Sequence, residues 1–478
     1  MFAFTSVEQY HVQLRAGDLT CLQAVEHYLG RIEETRHLNA FIDVYADEAL
    51  QRASQLDKAR KDGASTGKLH GVIIALKDVI CYKDHAVSAA SNILKGFTSV
   101  YSATPVERLL AEEAIIIGNL NCDEFAMGST NENSAYGKVL NALDETRVPG
   151  GSSGGSAVAV QAGLCMISLG SDTGGSVRQP ADFCGIIGLK PTYGRISRYG
   201  LIAYASSFDQ IGIFGNNVAD VAIALEVMAG ADEFDSTVSQ REVPFYPSLL
   251  KTDKRFRFAY FDDALDHPGL DPEIAGSIRK KISQLKKQGH TISAVDFDLL
   301  EYIVPAYYVL TTAEASSNLS RYDGVKYGYR TPVTGIGLTE FYKQTRSKGF
   351  GKEVKRRIML GTFVLSTGYY EAYFTKAQRL RALLMKQIDS IFKDYDFIIM
   401  PGSPVTAFKA GEKMNDPVAM YLADIYTVMA NLVGCPAISL PLFRHSNNMP
   451  FGLQVMASRF DEVSLLQVSE CLMRQDEL

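Results

Sequence analysis

Apolar residues along the chain alternate between the 3.6-residue spacing of a helix and the short unbroken runs of buried strands. Leu22, Val25, Leu29 and Ile32 recur on one face after Thr20, which predicts a helix capped by Thr20 and ending near Thr35. The runs 72–76, 114–117 and 397–400 are apolar throughout, 437–440 is apolar but for Ser439, and all four predict buried strands. Longer amphipathic stretches span 271–288 and 351–395. The window 154–170 is the most membrane-like, but Ser156, Gln161 and several glycines break it well short of the ~20 apolar residues that a span needs. It predicts a buried helix and strand instead. Alternating elements of this kind predict an α/β fold. The stretch 235–255, with Pro244 and Pro247, reads as a long connection, and strand-like 257–261 follows at once. One continuous domain over residues 1–478 is expected.

Composition narrows the function classes. The 478 residues carry 48 Lys and Arg against 54 Asp and Glu, a net charge of -6. Gripping a phosphate backbone needs cations in excess, so any role with RNA is expected to run through a partner. The first residues lack the basic start and apolar run of a secretory leader, which leads us to expect a cytoplasmic protein. The end, Gln475-Asp-Glu-Leu478, resembles a retrieval signal that has no meaning without such a leader. Seven dispersed cysteines without a C-x-x-C pair fit a reducing compartment and argue against a zinc site.

Glycine is concentrated between Gly150 and Gly200. A flexible linker would not interleave with apolar stretches such as 157–160 and 165–169, so the glycines imply tight turns or close approach to a ligand. Phosphate binding is not supported: Gly63 to Lys68 is one spacer short of a P-loop, and Leu69 follows the lysine. Gly151-Ser-Ser-Gly-Gly155 formally satisfies G-x-S-x-G, yet the polar stretch 144–149 is no strand and excludes a nucleophile elbow. It still marks Ser152 and Ser153 as serines in a special turn, one of them a candidate helix N-cap.

A serine nucleophile needs a base. None of the eight histidines stands in a recognisable motif. Lys77 follows the apolar run 71–76, and so either ends a strand with its ammonium in solvent or is held inside. Burial would lower its pKa towards a neutral amine able to accept a proton.

Three motifs stand in order: GGSSGGS at 150–156, DTGGSVRQP at 172–180 and GLKPT at 188–192, with Ala75-Leu-Lys-Asp78 upstream. Together they resemble the amidase signature enzymes. That resemblance implies a central mixed β-sheet covered by helices on both faces. It implies Ser176 as nucleophile, Ser152 as a bridging serine in a cis peptide arrangement and Lys77 as general base. Backbone amides from Thr173 to Ser176, including Gly174 and Gly175, are implied as the oxyanion hole.

Segments at 123–137, 314–324, 350–362, 366–370 and 420–425 further resemble the branch of glutamine-hydrolysing subunits of tRNA-dependent amidotransferases. Glutamine is the substrate this branch implies, held by Arg356 or Arg357 at its carboxylate and by Asp424 at its ammonium. Tyr307 or Tyr308, and Ser129, are implied more loosely as pocket lining. One of the two arginines belongs to a solvated helix face. The branch also implies a heterotrimer with subunits B and C, with Glu-tRNA(Gln), ATP and Mg all on the partner side and no cofactor or metal in this chain. A stand-alone amidase acting on another small or aryl amide is the alternative. Met429 and Cys435 depart from the pattern, as gap-filling core residues.

Overall fold

The computed structural model describes residues 3–412 and 423–474. The tail at 475–478, and residues 420–422 of the segment containing Asp424, lie outside them. Eleven strands of the described residues form one sheet: β1 Phe41–Val44, β2 Ile73–Lys77, β3 Ile115–Leu120, β4 Ile167–Asp172, β5 Ile187–Lys190, β6 Gln210–Gly215, β7 Arg257–Tyr260, β8 Thr291–Ala294, β9 Phe397–Pro401, β10 Ala437–Arg444 and β11 Pro450–Ala457. Their order is β1-β3-β2-β4-β6-β5-β10-β11-β9-β7-β8. β2 runs parallel to β3 and β4, and β7 parallel to β8 and β9, while the middle of the sheet is antiparallel. The sheet is therefore mixed, with helices packed over it.

The apolar runs fall where expected. β2, β3 and β9 are buried along their whole length, as strands sandwiched between helices must be. Thr20 caps helix Cys21–Glu34 through a reciprocal capping box with Gln23. The window at 154–170 resolves into helix Gly154–Gln161 and the start of β4. Asp271 caps helix Pro272–Lys287. The stretch 351–395 is two helices, Lys352–Val364 and Lys376–Asp394, the second entered through a π-helical turn Glu371–Thr375; the break falls at 365–370, where Gly368 and two tyrosines lie. Met429 and Cys435 are buried in the main core.

This topology decides where the chemistry sits. β2 and β4 are parallel neighbours paired through Leu76 and Leu169. Their C-terminal ends thus deliver Lys77 and the Ser171-Asp172 pair to the same edge of the sheet. In open α/β sheets that edge is where ligands bind.

Candidate active site

Lys77 is the last residue of β2 and is 0% exposed, so the strand end holds its ammonium inside. Its Nζ donates to three hydroxyls: Ser152 Oγ at 2.7 Å, Ser153 Oγ at 2.8 Å and Ser171 Oγ at 2.9 Å. Burial lowers its pKa from 10.5 to about 8, against the opposing pull of Asp123, Asp172 and Asp209. A neutral amine is thus within reach near neutral pH.

Ser152 and Ser153 come from the turn that opens helix Gly154–Gln161, and the Gly151–Ser152 peptide is cis. The crowding explains the glycine at 151: a Cβ there would lie 2.2 Å from Asp123 Oδ2. Ser153 occupies the N-cap position without capping the helix. Its hydroxyl instead accepts from Lys77 and donates to the Ser171 carbonyl at 3.2 Å.

The loop after β4 is built around Asp172. Burial alone would raise this carboxyl, but the Arg178 guanidinium overrides it and holds the pKa at about 2. Arg178, itself fully buried, donates to both carboxylate oxygens at 3.1 and 3.0 Å, and Asn431 adds a bond of 2.9 Å. The same carboxylate accepts the backbone amides of Gly175 at 2.8 Å and Val177 at 3.1 Å. Thr427 Oγ1 donates to the Gly174 carbonyl at 2.7 Å. Gly175 lies at φ 126° with Thr427 so near that a Cβ would meet its Oγ1 at 2.2 Å, so glycine is required twice over. Thr173 Oγ1 donates to Asp209 at 2.7 Å.

This wiring corrects one expectation. The Gly175 N–H is directed into Asp172 and is not available to an oxyanion. The amides of Thr173, Gly174 and Ser176 have no acceptor among the described residues. Ser176, 8% exposed, is the most accessible of Asp172, Thr173, Ser176 and Arg178. The histidines that pair with carboxylates do so elsewhere: His37 with Glu145, His70 with Glu113, His85 with Glu48, and His445 with Asp271 and Glu273.

Beside this loop lies a second group of polar residues. Helix Leu300–Asn318 carries Tyr307 and Tyr308. The Tyr307 hydroxyl packs against Gly174, where a Cβ would come within 2.3 Å. The Tyr308 hydroxyl donates to Asp424 Oδ2 at 2.7 Å, and Ser129 Oγ donates to Asp424 Oδ1 at 3.1 Å. Burial raises the Asp424 pKa to about 6, restrained by Tyr308, Arg357 and Ser129. The Arg357 guanidinium lies over the Tyr308 ring, 5.4 Å from its centroid, and donates to Tyr204 Oη at 2.8 Å and Glu353 Oε1 at 2.9 Å.

Helix phase separates the two candidate arginines. Arg357 is 4% exposed and faces Tyr308, whereas the Arg356 side chain is 34% exposed and pairs with Glu353 on the outer side. Arg356 is therefore the solvated member and leaves the candidate site. The remaining arrangement sets a guanidinium over the ring of Tyr308 and a carboxylate at its hydroxyl, beside Tyr307, which packs on Gly174. It can receive the carboxylate and ammonium of an α-amino acid.

Sequence reasoning passed over Ser171, Asp172, Thr427 and Asn431. Ser171 and Asp172 carried a signal, since both end a buried strand and lead into the glycine pair. Thr427 and Asn431 carried none, because their contacts join segments some 250 residues apart. Among the described residues, no group of three or more His, Cys, Asp or Glu is placed to hold a metal ion. No helix there is long and apolar enough to cross a membrane.

Strand order, buried lysine and glycine–serine loop agree with one class of protein. The family model for amidases matches residues 23–466, and the chain belongs to that family. At the level of individual proteins, it is 48% identical over 474 residues to the A subunit of the glutamyl-tRNA(Gln) amidotransferase of Chlorobium phaeobacteroides, covering 98% of each chain. The corresponding protein of Koribacter versatilis is 47% identical over 468 residues, covering 98% of this chain and 97% of that one. Among solved structures, the same amidotransferase subunit from Thermotoga maritima superposes with a TM-score of 0.78 at 38% identity, covering 97% of this chain and 93% of that one. The peptide amidase of Stenotrophomonas maltophilia gives 0.82 at 26% identity, over 99% and 97%.

Proposed function

We propose that this chain is the glutaminase subunit of a glutamine-dependent glutamyl-tRNA(Gln) amidotransferase, acting as one amidase domain over residues 1–478. The observation that carries the chemistry is Lys77 Nζ, fully buried and 2.7 Å from Ser152 Oγ. The near-full-length likeness to subunits of that name carries the substrate.

In this reading Arg357 holds the carboxylate of free glutamine and Asp424 its ammonium, with Tyr308 and Ser129 fixing Asp424. The side-chain amide then reaches the Ser176 loop. Neutral Lys77 takes a proton from Ser152 as Ser152 takes the proton of Ser176, and Ser176 Oγ bonds to the amide carbon. The amides of Thr173, Gly174 and Ser176 receive the oxyanion. Its collapse breaks the C–N bond, and the relayed proton leaves with ammonia. Water, deprotonated by the same relay, attacks the resulting ester, releasing glutamate and restoring Ser176.

Ammonia passes to a partner subunit, which activates tRNA-bound glutamate with ATP and Mg. The assembly is a heterotrimer with subunits B and C, cytoplasmic, and the tRNA is held through the partner. The test is reconstitution with those subunits and an assay of glutamine-dependent amidation of Glu-tRNA(Gln). Amidation that is lost in Ser176→Ala supports the reading. No amidation, together with brisk hydrolysis of unrelated amides by the isolated chain, sinks it in favour of a stand-alone amidase.

A further inference from the structure

The two faces of helix Lys352–Val364 do different things. Val354, Arg357, Gly361 and Val364 are buried on the inner face. Gly361 lies so close to helix Leu300–Asn318 that a Cβ would fall 1.9 Å from the Thr312 carbonyl oxygen. This seats the helix flat on the element that carries Tyr307 and Tyr308. The outer face should then be polar, as on a surface helix. Instead Met359 is 72% exposed, Leu360 40% and Phe363 43%, at spacings that share one side. The Phe363 ring packs on Tyr369 at 4.3 Å and Tyr373 at 5.8 Å, and both tyrosines and Tyr370 remain exposed. An apolar and aromatic patch thus continues from the helix into 366–373.

Its surroundings are cationic. Residues 352–386 contain eight Lys and Arg against two Glu, within a chain of net charge -6; all the cations but Arg357, which lies on the inner face, reach the surface, and Glu371 is the one exposed acid among residues 366–373. Lys352, Lys355 and Arg356 precede the patch and Lys376 and Arg379 follow it, while Glu353 is taken by Arg356 and Arg357. The overall charge averages over this local strip.

A soluble chain rarely leaves so continuous an apolar surface in water. Tyr, Phe and Met in the centre with charge at the rim is the composition of a protein interface. Single-stranded RNA takes flat rings and cations, and the aliphatic Met359 and Leu360 offer it neither. We propose that the outer face of helix Lys352–Val364, with residues 366–373, docks a partner polypeptide bearing an apolar stripe flanked by Asp and Glu. The proposal rests on the reading of this chain as a subunit.

The test uses the full chain with the B and C subunits from the same cell. Met359→Glu/Phe363→Glu removes the centre, and Lys355→Glu/Arg379→Glu the rim; neither pair belongs to the proposed catalytic or glutamine-binding groups. Light scattering after gel filtration, with titration of binding, is expected to show assembly of the unaltered chain. The Met359/Phe363 pair weakens it by about 30-fold or more, as loss of interface anchors does. The Lys355/Arg379 pair weakens it less and flattens its dependence on salt. Glutaminase activity of the isolated variants stays within about twofold, as expected of surface changes. Undiminished assembly of the Met359/Phe363 variant overturns the proposal. Self-association of the unaltered chain that the variant loses also overturns it and assigns the patch to a second copy. Intact assembly with lost tRNA retention overturns it in favour of RNA. If the unaltered chain assembles with neither subunit, the subunit reading fails first and takes this proposal with it.

Discussion

The hydroxyl of Thr427 donates to the carbonyl of Gly174 across 2.7 Å. At the other end of the same peptide plane, the Gly175 N–H donates to Asp172 at 2.8 Å. One peptide is therefore pinned on both sides, and the amides that flank it, Gly174 and Ser176, are directed elsewhere. Thr427 is itself fixed: its carbonyl accepts from Arg178 at 2.8 Å and its amide donates to the Asp424 carbonyl at 3.1 Å. The segment that presents Asp424 and the loop that presents Ser176 are thus joined through one residue.

Thr427→Val keeps the shape and deletes the donor, leaving the Gly174 carbonyl unpaired in a buried site. Because the change acts on the loop that meets the transition state, it falls on kcat. We expect a loss of about 10- to 100-fold, less than the ~10²–10³ seen when an oxyanion donor is removed outright. KM for glutamine should move little, and Thr427→Ser should restore most of the rate. Steady-state glutaminase kinetics on the three proteins check this; a raised KM with unchanged kcat would refute it.

Lys77 predicts a pH profile. The base form is the neutral amine, and burial brings its pKa to about 8. Activity should therefore rise with pH, with a midpoint near 8, and level off above it. Lys77→Met should lose about 10³-fold or more. Stability carries the same sign: from about pH 8 to the ordinary lysine value of 10.5, the unfolded chain binds a proton that the folded chain does not, so stability rises with pH across that window. Chemical denaturation of the Met variant, compared with the unaltered protein, should lack this part of the slope.

Much of this could be read from the chain, for identifiable reasons. Lys77 was legible because an unbroken apolar run ends on it, and the serine loops because glycine density betrays a backbone under steric demand. The strands β1, β5, β6, β8 and β11 were not singled out, since runs such as Phe41–Val44 and Thr291–Ala294 are only four residues long and broken by polar residues. The direction of the Gly175 amide was invisible, because it depends on a carboxylate that Arg178 and Asn431 hold in place. Only helix packing could separate Arg356 from Arg357.

That separation is itself testable. Arg357→Ala removes a buried guanidinium that spans Glu353, Tyr204 and the Tyr308 ring. It should raise KM for glutamine by about 10²-fold, the scale of losing a buried charged contact. Arg357→Lys should recover only part of this, because a point charge cannot reproduce the planar fork. Arg356→Ala should stay within about twofold, since its half-exposed ion pair with Glu353 does not face Tyr308 and contributes little. Equal effects of the two alanine variants on KM would contradict the helix phase that buries Arg357 and turns Arg356 outward.

Asp424 gives the sharpest discrimination between glutamine and other amides. Its carboxylate form is the one that receives an ammonium, and burial raises its pKa to about 6. Glutamine should therefore bind more weakly as pH falls through about 6, visible as a rise in KM. Asp424→Asn is nearly the same shape and stays neutral, so its KM should be high and flat across that range, by about 10²-fold at neutral pH. A primary amide with no α-ammonium gains nothing from the charge, and its slow hydrolysis should be the same in both proteins. Should the Asn variant hydrolyse glutamine with unaltered KM, the ammonium site lies elsewhere, and the pairing of Asp424 with Arg357 as an amino-acid clamp is wrong.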